Sequence, residues 1–148
     1  MIQWNADLAH KLQCREDEKK GLGPLIKRLM DLDRKARSEG FLSLESELPS
    51  MDDPLLVVGV RLVMEGVSGE ALEEILATYL LIEEHSGWPF LKACVIVEGL
   101  LALAESDDPA LMARKLLPYF GADRAIAALE DLERAAAEDD PRPAVGKQ

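Results

Sequence analysis

His10 and Cys14 stand four residues apart, a spacing that on a helix would put two metal ligands on one face. No second pair accompanies them, and a zinc site needs three or four ligands, so no metal is expected. His85 follows Glu83 and Glu84 at the end of a helical pattern, where a cationic side chain complements the helix dipole. Asp52–Asp53 and Asp107–Asp108 each precede a proline, which is the grammar of helix capping and needs no acid/base role. The chain has no nucleophile elbow, no glycine-rich phosphate loop and no His–Glu zinc pattern. The expectation is therefore a protein that is not an enzyme, with no catalytic residue and no cofactor. What is left is charge: Arg37 and Glu45 on either side of Gly40, with Arg34 and Lys35 just upstream.

The elements that must hold these charges read as helices. Aromatic residues are only 5% of the 148, Ala, Leu and Glu dominate, and β-branched residues cluster in two short runs. A polar helix is expected over 3–19, ended by Gly21, Gly23 and Pro24. Leu25, Ile26, Leu29, Leu32 and Ala36 repeat at helical intervals across 25–39, and Gly40 reads as a left-handed cap. A short turn of helix over 42–47 stops at Pro49, and Asp53–Pro54 starts a buried helix that runs to Gly66. Ser68 caps a helix over 69–85, with Leu72, Ile75, Leu76, Tyr79 and Leu80 on one face and Glu70, Glu73 and Glu74 away from it. Three further helices are expected over 89–105, 109–119 and 123–138. The whole predicts an all-α bundle or stack of six to seven helices: a polar helix in 1–20, one helical domain over 21–138, and a disordered polar tail over 139–148.

Charge and hydropathy narrow the partners. The net charge is −11, and residues 51–148 carry 8 basic against 19 acidic side chains while 1–50 are balanced at 9 each. Such a surface repels phosphate backbones, so nucleic acid is not an expected partner. Arg61, Lys92 and Glu98 interrupt the two most apolar stretches, so no membrane insertion is expected. Two distant cysteines and an N-terminus without a signal-peptide layout lead to a cytoplasmic expectation.

Two motifs go further. "ARSEGFLSLE" (36–45) followed by "DPLLVVGVRLVMEG" (53–66) resembles the cytoplasmic segment of the flagellar motor stator A subunit, the MotA family. Arg37, Gly40, Leu42, Leu44 and Glu45 match the first motif; Asp53, Pro54, Gly59, Leu62, Val63 and Gly66 match the second. The acidic stretch "GEALEEILATYLLIEEH" fits the third in character, so the likeness runs over about 25–86, within a MotA-like part at 22–86 that 87–138 extends. In that family the segment is flanked by membrane helices, and here its flanks keep their charges. The resemblance thus implies a soluble relative with no ion channel, docking on a flagellar rotor-like or chemotaxis-related protein through a charged face. Arg37 and Glu45 correspond to the family's rotor-contacting positions, and Arg34 and Lys35 adjoin them.

Without the resemblance, Arg37 simply complements a helix C-terminus, and Glu45 solvates a short helix or pairs with Arg37. Two other classes stay open. One is a helical-repeat adaptor or self-associating protein, a homo-oligomer using "PFLKACVIVEGLLALA" as core or interface; Pro54 and Pro89 open similar apolar runs 35 residues apart. The other is a helical ligand-binding domain, which requires a deep pocket with convergent polar groups.

Overall fold

A computed structural model describes residues 6–15, 17–83 and 86–139, and every structural statement concerns these. They form seven α-helices and three 3-10 segments. The helices are α1 (Ala6–Lys11), α2 (Leu22–Glu39), α3 (Pro54–Met64), α4 (Gly69–Ile82), α5 (Trp88–Ala104), α6 (Pro109–Leu116) and α7 (Ala122–Asp139). The 3-10 segments are Glu18–Gly21, Phe41–Ser50 and Leu117–Phe120. The all-α expectation is met.

The stretch "PFLKACVIVEGLLALA" is apolar on nearly every side, and a helix of that kind is stable only when surrounded. It becomes α5, the centre of the molecule, with Leu91, Cys94, Ile96, Leu100 and Leu103 enclosed and α2, α3, α4 and α6 packed around it. It is core, and its buried face offers no interface to a second copy. Close approach of α3 is possible because Gly59 has no side chain: a Cβ there would fall on Leu100 Cδ1 of α5.

Capping fixes most of the boundaries. Asp53 accepts from the amides of Leu55 and Leu56 at 2.9 and 3.4 Å and starts α3. Asp108 accepts from the Leu111 amide at 2.8 Å and starts α6, whereas Asp107 forms an ion pair with Lys115. Ser68 stands at the cap position of α4 in an extended conformation but makes no side-chain cap bond.

Four sequence expectations are corrected. Of the polar helix expected over 3–19, the described residues keep α1 and leave it at 12–15, where Leu12 and Cys14 both pack against the core although two residues apart, a spacing that one helical face cannot present; residues 3–5 lie outside the described residues. Gly40 ends α2 with φ 89° and ψ 162°, a region open to glycine alone, and is not the left-handed helical cap. The next segment runs through Pro49 to Ser50 as a 3-10 helix rather than stopping at 47. On α4, Leu72 and Leu76 are buried but Ile75 and Tyr79 are exposed, because the helix meets α5 and α3 along a narrower arc than its five apolar residues cover. His85 and residues 140–148 of the expected tail lie outside the described residues.

Candidate functional site

The charged face is built on the second half of α2 and the 3-10 segment that follows. These two elements pack against each other. Gly40, between them, reverses the chain so that Glu45 returns beside the helix carrying Arg34, Lys35 and Arg37.

The four predicted residues are brought to this one region, but in different electrostatic states. Arg34 Nη1 donates to Asp31 Oδ1 at 2.8 Å within its own helix. Lys35 Nζ donates to Ser46 Oγ at 2.6 Å and Glu47 Oε1 at 3.3 Å, pinning the 3-10 segment to α2. Arg28 joins from one side, donating to Ser50 Oγ at 2.7 Å and pairing with Glu47 Oε2 at 3.2 Å. The Lys35 hydrogen bond, with Arg28 beside it, holds the Glu47 carboxyl below the usual carboxylate range. Arg37 Nη1 donates to the Ser106 carbonyl at 2.7 Å, in the turn between α5 and α6. Glu45 is exposed, and among the described residues no ion pair joins it to Arg37 or to any other cation.

One residue here escaped the sequence reading. Asp33 is 0% exposed, and neither carboxylate oxygen has a hydrogen-bond partner. Burial raises its pKa to about 6; Arg37 and Arg34 oppose that shift, while Asp107 and Asp108 at the start of α6 reinforce it. The signal was present: Asp33 stands four residues after Leu29 and three before Ala36, on the apolar stripe of α2. Arg37 therefore has a structural role as well, being the cation whose field most favours an ionised Asp33.

The metal reading rested on His10 and Cys14 sharing a helical face. α1 ends at Lys11, so Cys14 follows in irregular chain and that premise fails. Among the described residues no group of three or more His, Cys, Asp or Glu could hold a metal ion. One cavity bears on the ligand-binding reading. A cavity of about 540 Å³ lies where α1, α4, α5 and α6 meet, lined by Leu12, Leu91, Leu101, Glu98, Lys115 and Tyr119 among others. Burial, and secondarily Glu98, pushes the Tyr119 hydroxyl well above the usual phenol range, so it is a neutral hydrogen-bonding group at physiological pH.

Comparison with known proteins finds partial matches. Motility protein A of Borreliella burgdorferi is 42% identical over 60 residues, 40% of this chain and 22% of that protein. Motility protein A of Treponema phagedenis is 35% identical, and that of Treponema pallidum 33%, each over 66 residues, 43% of this chain and 26% of the relative. The chain carries a motility-protein-A-like segment. It spans about a quarter of the length of the curated relatives it matches. No protein-family profile matches the chain, and no solved structure matches it. No helix of the described residues is long and apolar enough to cross a membrane.

Proposed function

We propose that this chain is a non-catalytic, cytoplasmic docking module related to the cytoplasmic part of motility protein A, and that it engages a flagellar rotor protein through the face formed by α2 and Phe41–Ser50. The observation that carries this is the state of Glu45. Lys35 and Arg34 are neutralised internally and Arg37 is directed at Ser106, so Glu45 is the member of the predicted set with no internal partner among the described residues. It sits in the motif "ARSEGFLSLE", by which the chain resembles the stator subunit, and the similarity to motility protein A supports a motor-related partner.

Exposed charges of this kind contribute about 0–1 kcal/mol each, enough to set on-rate and register in a transient contact. Glu45→Lys should weaken binding to a purified flagellar rotor protein roughly fivefold, the equivalent of about 1 kcal/mol, and flatten its salt dependence. Unchanged affinity in a variant of unaltered melting temperature would remove the proposal. Glu45 is the better probe than Arg37, since reversing Arg37 would bring a third acid to the one side of Asp33 that is now basic.

A second reading, a helical ligand-binding domain, is favoured by the cavity of about 540 Å³, a size common for small-molecule sites. Small-molecule binding that is lost when Leu101→Trp fills the cavity would favour it over the docking module.

A further inference from the structure

Four of the seven large apolar side chains exposed among the described residues fall within eight positions of α4: Ile75 at 37%, Tyr79 at 41%, Leu81 at 81% and Ile82 at 73%. Scattered apolar side chains need no explanation, but a run along one helix does. Ala71, Ile75, Thr78, Tyr79 and Ile82 recur at three- and four-residue intervals, so they form one stripe beside the arc of the buried Leu72 and Leu76, while Leu81 stands off it on the side of Glu70 and Glu74. Glu70 and Glu74, both exposed, lie along one edge of it. The other edge opens, at Tyr79, on a groove of about 460 Å³ between α3, α4 and α5, lined by Leu55, Val58 and Trp88 together with Glu83 and with Lys92, which pairs with Asp53 at 3.3 Å. This surface is separate from the α2 face: α2 and α4 both pack on α5 and make no comparable contact with each other.

We propose that the α4 stripe and its groove receive an amphipathic helix of another protein, one with apolar residues at helical spacing and Lys or Arg beside them. The stripe-and-groove shape suits a helix read through residues at i, i+3 or i+4, and i+7. Charge selects the occupant. A second copy of this chain, itself at net charge −11 and with the same acidic edge, adds like charge, and a lipid surface with anionic headgroups would meet the same carboxylates. A basic flank on a partner helix meets them with opposite sign.

The test uses the full chain and two dye-labelled synthetic helices with the same leucine stripe, one flanked by Lys and one by Glu, read by fluorescence anisotropy. The Lys-flanked helix should bind at least tenfold tighter than the Glu-flanked one. Ile82→Asp and Ile75→Asp should each reduce that binding at least tenfold; Ile82, 73% exposed, should leave the melting temperature unchanged, and Ile75, 37% exposed, is read well below the melting temperature of its variant. Glu70→Lys/Glu74→Lys should reverse the preference. Equal binding of both peptides, no binding, or binding that survives both Asp variants would overturn the proposal. So would a concentration-dependent dimer in sedimentation that Ile82→Asp dissolves, since that would make a second copy the occupant.

Discussion

Asp33 and Glu47 are two carboxylates displaced in opposite directions, the first raised by burial and the second lowered by the cations around it, so they pull stability in opposite directions with pH. The Asp33 pKa is raised to about 6, so the folded protein holds a proton there that the unfolded chain gives up near 3.8. Its effect is to lower stability as pH rises from about 4 to 6, with the full penalty present above that window. Glu47 has a depressed pKa, so its contribution is present above about 4.5 and is lost as pH falls through the lower folded value. Asp33→Asn should therefore stabilise the protein at pH 7, by an amount bounded by about 3 kcal/mol, and by much less at pH 4. Urea unfolding at the two pH values measures the difference; an equal effect at both would contradict this account. Glu47→Gln should do the reverse, costing stability at pH 7 and little at pH 3, because it loosens the hold of Lys35 and Arg28 on the 3-10 segment.

Elements were legible where a residue type dictates a backbone outcome. Asp53–Pro54 and Asp108–Pro109 each start a helix where the sequence said, since a capping carboxylate followed by a proline is a local instruction. Placement was harder wherever the answer depended on a distant partner. Five apolar residues on α4 looked like one packed face, but α3 and α5 cover the arc of Leu72, Leu76 and, in part, Leu80, and nothing local to α4 encodes that width. α5 shows the converse, its all-round hydropathy announcing its central position. At the α3–α5 crossing, Gly59→Ala would gain up to about 1 kcal/mol of helix propensity. The new methyl would meet Leu100, which is fully enclosed, and overpacking costs about 1–3 kcal/mol. Net destabilisation is expected, read as a lower urea midpoint; a higher midpoint would show that α3 can shift away.

At the scale of the whole molecule, the class of fold was legible in the sequence, while the states of the charges around Gly40 were not. Arg37 and Glu45 looked like a pair across Gly40. Folding instead sends Arg37 to Ser106, a contact 69 residues away in sequence, and leaves Glu45 exposed. No spacing rule reports a bond of that range. Asp33 was legible in principle, as an acid on an apolar stripe, because helical periodicity alone predicts its burial. The proposed contact with a rotor protein lies on the face of α2 and Phe41–Ser50. Leu42, 73% exposed within that face, and Ile126, 71% exposed on α7, offer equally accessible positions for a benzoylphenylalanine photocrosslinker. With a purified flagellar rotor protein, the account predicts a covalent adduct from position 42 and none from 126; adducts from both, or from 126 alone, would contradict it.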